Sequence, residues 1–311
     1  MFKCIPKGMV SILAALFISA QLSLTNPVRQ DAVTALAQHV VIIGVDGMKG
    51  EAALNAQTPY MHGLMSKGAY TLHARAVIPL VSKPNWASMI MGAPPEQHGV
   101  TSNEWLPNKF DITPVCTDSA GIFPTIFGVL REQRPKAVIG IFTDWDGFTT
   151  LVEPKSPDLM EVTNEDQAKT TEQALTFIRE HKPTLTFIHY DSVDEAGHTY
   201  GWDTPQYYAA VTQIDQYLGE ILKTLDETGL LGQTIILVTA DHGGLGLKHG
   251  ENLMPDIEIP WIISGPGIRR GIEIASPVNT YDTAPTVAYV LGLSQPSCWL
   301  GKAMLPCFES H

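Results

Sequence analysis

Short β-branched apolar runs alternating with amphipathic stretches predict an α/β chain, a three-layer sandwich with a central, mostly parallel sheet and helices on both faces. Five runs carry the strand half of that expectation: "VVIIGV" at 40–45, "AVIGIF" at 137–142, "TLTFIHY" at 184–190, "TIILVTA" at 234–240 and "IPWIIS" at 259–264. None alternates apolar with polar residues, as expected of strands buried on both faces. Two stretches between them, "NEDQAKTTEQALTFIREHK" and "PQYYAAVTQIDQYLGEILKTLDETG", carry the helical half. In the second, Tyr208, Val211, Ile214, Leu218, Ile221, Leu222 and Leu225 recur at spacings of three and four, and Gly229 stops the helix. No internal repeat or low-complexity tract divides residues 38–311, so a single catalytic-sized domain is expected there.

Composition narrows the function classes. The chain has 311 residues, 44% hydrophobic and 17% charged, which excludes a disordered tail protein. With 32 acidic against 20 basic residues the formal net charge is -12, which disfavours nucleic acid as a bulk partner unless charge is segregated or offset by metals. Lys3 and Lys7 precede the apolar run "MVSILAALFISAQLSL", so residues 1–24 read as an export signal, removed without stable membrane insertion, ahead of the alternatives of a membrane anchor or a buried first helix. The mature protein is then periplasmic or secreted. Cleavage removes Cys4 and leaves Cys116, Cys298 and Cys307, of which Cys298 and Cys307 could close a short C-terminal loop with Cys116 unpaired.

Three of the apolar runs end in acid. "VVIIGV" leads to Asp46, "TLTFIHY" to Asp191 and Asp194, and "TIILVTA" to Asp241. In a parallel sheet the C-terminal strand ends share one edge, where α/β enzymes bind their ligands. Carboxylates gathered there must either rise in pKa or hold cations between them. The neighbouring histidines favour cations: His198 follows Asp194 by four in "DEAGH", His242 adjoins Asp241 in "DHGG", and His249 follows in "KHGE". Adjacent Asp241 and His242 can share an ion only if the chain turns, which Gly243 and Gly244 permit. Mixed carboxylate and imidazole donors suit zinc ahead of manganese or iron. His39, His62, His73, His181 and His189 are read as structural.

Between the first two of these strands lies "IPLVSKPNWASMIMGAPPEQHGVTSNEW". Pro84 suits the first turn of a helix through "NWASMIMG", which places Ser82 just before a helix N-terminus, where free N–H groups favour anions. Capping that helix is the competing role for Ser82.

With "VVIIGVDG", "SKPNWASMIMGAPPEQHGVTSN", "DEAGH", "ADHGG" and "KHG" in this order, the sequence resembles the alkaline phosphatase superfamily. The resemblance is strongest to its branch of type I phosphodiesterases and nucleotide pyrophosphatases, over most of residues 40–250. It implies an alkaline phosphatase-like fold and two divalent metal ions, usually Zn2+. Asp194, His198 and His249 match one set of ligands; Asp46, Asp241 and His242 match the other, which also holds the nucleophilic oxygen of Ser82. Many relatives have Thr at the nucleophile position, and Ser keeps the hydroxyl. Asn103 matches the asparagine that donates to a non-bridging phosphoryl oxygen, and Asn85 is assigned to structure.

The activity implied is hydrolysis of phosphodiester or nucleotide pyrophosphate bonds through a phosphoserine intermediate. A phosphomonoesterase or phosphonate hydrolase of the same superfamily, and an inactive metal-binding scaffold, remain alternatives. Lys83 stands where nucleotide-specific relatives tend to have an aromatic residue, a departure that weakens nucleotide specificity; it either supplies positive charge beside the phosphate or leaving group or lies in solvent. Trp86, Trp105 and Trp145 belong either to the core or to a leaving-group wall. The irregular segment 105–123 has the length of a loop that covers a site.

Overall fold

All five apolar runs lie in one eight-stranded sheet. The structure is a computed structural model that describes residues 35–109, 111–118 and 121–309; the expected export signal, residues 1–24, lies outside them. In chain order the strands are β1 (His39–Val45), β2 (Ala69–Arg75), β3 (Ile139–Thr143), β4 (Leu159–Val162), β5 (Leu185–Tyr190), β6 (Thr234–Thr239), β7 (Glu258–Ser264) and β8 (Ile272–Glu273). Across the sheet the order is β4-β3-β5-β1-β6-β7-β2-β8. β7 is antiparallel to both its neighbours, β6 and β2. Every other pairing is parallel, so the sheet is mixed, with "IPWIIS" as its one reversed strand.

β1, β3, β5 and β6 are buried along almost their whole length, which explains why they read as unbroken apolar runs. β2 escaped the pattern because it mixes buried with exposed positions and carries a register irregularity between Thr71 and Ala74. The helices around the sheet sort into two packed sets. Helices Pro59–Lys67, Gln167–His181, Ser192–Tyr200 and Pro205–Glu227 pack among themselves, and Ser82–Met91 packs with Ile126–Gln133 and Thr283–Val290.

Helix Pro205–Glu227 follows its predicted stripe with one shift. Tyr207, not Tyr208, is the fully buried tyrosine, because its hydroxyl donates to the Gly47 carbonyl and accepts from the Lys49 N–H. Asp215 is buried on the same helix. Its carboxylate accepts the free N–H groups of Tyr60 and Met61 at the start of Pro59–Lys67, so a polar side chain joins two helices without an unpaired charge.

The cysteines pair differently from the expectation. Cys116 and Cys298 form the disulfide, with Cα atoms 6.5 Å apart, and Cys307 is the buried free thiol. Segment 105–123 comes back to the C-terminal stretch and brings Cys116 to Cys298, while the short Leu305–Cys307 turn buries Cys307 in the core. A bridge across 182 residues constrains the unfolded chain strongly; chain-entropy reasoning sets about 5 kcal/mol as its upper value. Cys298→Ser is expected to lower stability by ~2–5 kcal/mol in urea denaturation. Cys307→Ser, which breaks no bridge, should cost clearly less; equal losses would contradict the pairing.

Candidate metal centre

β3, β5, β1 and β6 are neighbours, all parallel, so their C-terminal ends meet along one edge of the sheet. Asp144 follows β3, Asp191 and Asp194 follow β5, Asp46 follows β1, and Asp241 with His242 follows β6. Close approach around Asp46 is secured by glycine. At Gly44 a Cβ would lie 2.7 Å from the Trp86 ring, and at Gly47, where φ is +69, a Cβ would lie 2.7 Å from Asp194. Trp86 packs across Gly44 and donates its Nε1–H to Asp46 Oδ2 at 3.0 Å.

Asp46, Asp241 and His242 are fully buried and converge. His242 Nε2 lies 3.3 Å from Asp241 Oδ2, 3.5 Å from Asp46 Oδ1 and 3.4 Å from Ser82 Oγ. Donor atoms bound tetrahedrally to one zinc at ~2.0–2.1 Å stand about 3.3–3.4 Å apart, so the spacing suits a shared ion. The glycines after His242 act differently from the expectation: neither has a left-handed φ. Gly243 instead admits the Pro255 carbonyl, and Gly244 the Trp202 ring, where a Cβ would collide.

A second group lies beside the first. His198 Nε2 is 3.3 Å from Asp194 Oδ2, His249 Nε2 is 3.9 Å from Asp194 Oδ1, and the two imidazole rings have centroids 5.0 Å apart. His249 also stacks on His242 at 3.8 Å. Asp194, His249 and His242 therefore converge as well, so His242 stands between the two sets, with His198 on the open side. Asp46, Asp191 and Asp194 form a further convergence on the inner side.

Hydrogen bonding fixes which nitrogen each histidine offers. Nδ1 of His198 faces the Leu247 carbonyl at 3.0 Å, that of His242 the Gly243 carbonyl at 2.9 Å, and that of His249 the Leu80 carbonyl at 2.8 Å. A carbonyl only accepts, so each Nδ1 carries the proton, and each Nε2 of a neutral ring keeps a lone pair facing the carboxylates. His98 shows the opposite arrangement: its Nδ1 accepts the Val100 N–H, and its Nε2 meets Ser88 Oγ inside the core.

Electrostatics asks for cations in this place. Burial and the nearby Asp46 and Asp194 charges push Asp241 well above the usual carboxylate range. Burial, with Asp46, Asp144 and Asp194 adding to it against His189, pushes Asp191 up to about 8. Burial also acts to raise Asp46, but the His189 hydrogen bond, the His242 and His189 charges and Trp86 outweigh it and hold the group at about 2. Asp46 Oδ1, Asp194 Oδ1 and Asp241 Oδ2 are buried oxygens with no hydrogen-bond donor. Such orphaned acceptors, together with Nε2 lone pairs, fit divalent cations.

Ser82 is the first residue of helix Ser82–Met91, one position inside the expected N-terminus. Val81 holds the cap position and the Ser82 hydroxyl meets His242 Nε2, at 3.4 Å, so the competing capping role falls away. Asn103 is exposed, and its Oδ1 accepts the Lys83 N–H at 2.9 Å, which leaves its NH2 as a free donor beside Ser82. Asn85 accepts the Val77 N–H and donates to the Val77, Pro79 and Val81 carbonyls, a wholly structural role.

Lys83 is not in solvent. It is buried, its Nζ donates to the Trp105 carbonyl at 3.1 Å, and burial lowers its pKa against the pull of Asp146 and Glu104. Trp86 and Trp105 are core residues, and Trp145 packs against the core.

Two site residues went unmarked in the sequence. His189, read as structural, is fully buried between Asp144 and Asp46, 3.3 Å and 3.4 Å away. Burial acts to lower its pKa, but the two carboxylates raise it to about 10. Asp144 ends a strand just as the other acids do, so the same strand-end rule applied to "AVIGIF" finds it.

The family model described as type I phosphodiesterase / nucleotide pyrophosphatase matches residues 40–258. Arylsulfatase K of Danio rerio is 34% identical over 105 residues, 32% of this chain and 20% of its own length. The chain thus spans about a fifth of the curated relatives it matches. Among solved structures, murine ectonucleotide pyrophosphatase / phosphodiesterase 5 aligns with a TM-score of 0.72 at 17% identity, covering 88% of this chain and 100% of that one. The phosphonate monoester hydrolase of Agrobacterium radiobacter aligns at 0.67 and 15% identity, covering 87% and 77%. These structural likenesses show a shared alkaline phosphatase-like fold.

Proposed function

Because the chain belongs to the type I phosphodiesterase / nucleotide pyrophosphatase family, we propose that it is a metal-dependent phosphoric ester hydrolase. On this reading it cleaves phosphodiester or nucleotide pyrophosphate bonds through a phosphoserine intermediate at Ser82. The observation that carries the reading is the set of three histidines whose Nδ1–H groups are tied to carbonyls while their Nε2 atoms face Asp46, Asp194, Asp241 and Ser82. Asp46, Asp241 and His242 would hold one ion beside Ser82, and Asp194, His198 and His249 the other.

Two divalent ions held there, Zn2+ by donor chemistry, would supply positive charge to offset the negative charge that builds up during transfer. The chain supplies the rest. Ser82 Oγ, set at the start of a helix, attacks phosphorus in line as the bond to the leaving oxygen breaks, and that oxygen departs as the alcohol, so that the serine's proton is balanced on the leaving group. The Asn103 NH2 donates to a non-bridging oxygen, held in aim by the Lys83 N–H on its Oδ1. Water then attacks the phosphoserine from the side the leaving group vacated and restores the Ser82 hydroxyl.

Charge selects among esters. In a diester the phosphoryl group carries one negative charge, whereas a monoester dianion gains from a further cation, and Lys83, the nearest in sequence, is buried with one N–H on the Trp105 carbonyl and with the Asp146 and Glu104 charges already acting on it. A singly charged reacting group is therefore favoured. The AMP complex of the murine neighbour supports a nucleoside monophosphate as one phosphoryl-bearing group of that class.

Sulfate monoesters also carry one charge, and the similarity to arylsulfatase K favours sulfate-ester hydrolysis as a second reading. Comparing kcat/KM for bis(4-nitrophenyl) phosphate and 4-nitrophenyl sulfate on zinc-loaded protein separates the two. The phosphate diester is expected to be faster by at least about tenfold, a difference of ~1.4 kcal/mol in barrier; faster sulfate cleavage would move the chain to the sulfatase reading.

The catalytic unit is taken as one domain over residues 38–311, released outside the cytoplasm after removal of residues 1–24. The Cys116–Cys298 disulfide supports an oxidising compartment. No described helix is long and apolar enough to cross a membrane.

A further inference from the structure

His189 differs from the three histidines above in that neither ring nitrogen faces a backbone carbonyl. Nδ1 lies 3.3 Å from Asp144 Oδ1 and 3.3 Å from Thr143 Oγ1, and Nε2 lies 3.4 Å from Asp46 Oδ2. The ring is fully buried, with the Trp86 ring centroid 4.8 Å away, edge-on. Trp86 Nε1–H reaches the same Asp46 oxygen at 3.0 Å. The Trp86 hydrogen bond and the His189 Nε2 ion-pair contact, which lacks hydrogen-bond geometry, both fall on Oδ2 and leave Oδ1, which has no hydrogen-bond donor, as the oxygen that Asp46 presents toward His242.

Asp144 has a second duty. Its two carboxylate oxygens accept the Asp191 N–H at 2.9 and 3.1 Å, and Asp191 is the residue from which helix Ser192–Tyr200, bearing Asp194 and His198, departs. One buried carboxylate is thus bonded to the start of the helix that supplies one candidate metal group and, through His189, to the strand-end acid of the other.

We propose that Asp144 and His189 form a brace that sets both candidate metal groups: His189 holds Asp46 so that only Oδ1 is offered, and Asp144 fixes His189 and the Asp194 helix together. The inference rests on the two-metal reading and deepens it. His189 and Asp144 are positioning residues, since neither is assigned contact with substrate. Partners of this kind change metal affinity by about 10–100-fold in comparable centres when they are lost.

The test is Co2+ titration of chelator-treated protein, followed by visible absorption, in wild type, His189→Gln, His189→Phe and Asp144→Asn, with apoprotein unfolding as a control for folding. His189→Gln retains a donor and serves if the phenylalanine variant fails to fold. Two equivalents are expected to bind wild type. In the His189 variants one equivalent should weaken by roughly 10–100-fold with a changed spectrum while the other is kept, and in Asp144→Asn both should weaken. At saturating Co2+ the His189 variants should lose kcat with KM unchanged, a split that a purely packing role would not give. Wild-type affinity and spectra in all variants would overturn the brace alone; failure of wild type to bind Co2+ would overturn the two-metal reading and the brace with it.

Discussion

Ser82→Ala is expected to lower kcat on a phosphodiester by roughly three orders of magnitude or more, as loss of a covalent nucleophile does elsewhere. Metal content and fold should survive. Ser82 Oγ makes no capping bond and approaches only His242, at 3.4 Å, so its removal costs the helix little. Stability is expected to change by less than ~1 kcal/mol. The measurement is single-turnover and steady-state hydrolysis on protein whose bound metal has been quantified. Near-normal turnover in metal-loaded Ser82→Ala would remove Ser82 from the chemistry and leave the helix N-terminus as a binding element only.

Removal of metal is expected to have the second largest effect. The centre gathers Asp46, Asp194 and Asp241 with three acceptor oxygens lacking donors, and mutual repulsion with burial already raises Asp241. Chelation should abolish hydrolysis and lower the melting temperature. A site saturated at a hundred times its dissociation constant contributes ~2.7 kcal/mol. For a domain of this size that corresponds to about 5–10 °C. Asp241→Ala should lose much of the zinc-dependent rise, because His242 and Asp46 alone make an incomplete set. A melting temperature indifferent to both chelator and zinc would show that the convergence is not a metal centre.

The part of this arrangement legible in the sequence follows from burial. Strands covered on both faces must be apolar throughout, so β1, β5 and β6 announced themselves, and the acids that ended them stood out against that background. Asp46, Asp194, His198, Asp241, His242 and His249 were named from that edge and from the family resemblance; Asp46, Asp241 and His242 converge as one group, while Asp194 and His249 converge with His242, and His198 reaches only Asp194 among them. What escaped was set by contacts between distant segments. His189 lies inside an apolar run, where a histidine looks like core, and its role depends on Asp144 and Asp46 from neighbouring strands. Lys83 sits in a first helical turn, usually a solvated position, yet the chain around Trp105 covers it. Tyr207 and Tyr208 both fit a helical stripe, and the Gly47 carbonyl decides which is buried. Cysteine pairing depended on the path of segment 105–123, which has no periodicity to read.

Metal-dependent diester hydrolysis is tested by the ratio of kcat/KM for bis(4-nitrophenyl) phosphate over 4-nitrophenyl phosphate, measured on zinc-loaded protein and on the same protein after chelation. A ratio well above one is expected, since Lys83 is buried against the Trp105 carbonyl with the Asp146 and Glu104 charges already acting on it, so that the second charge of a monoester finds less compensation, with both activities lost on chelation. A ratio well below one, or diester hydrolysis that survives chelation, would contradict it.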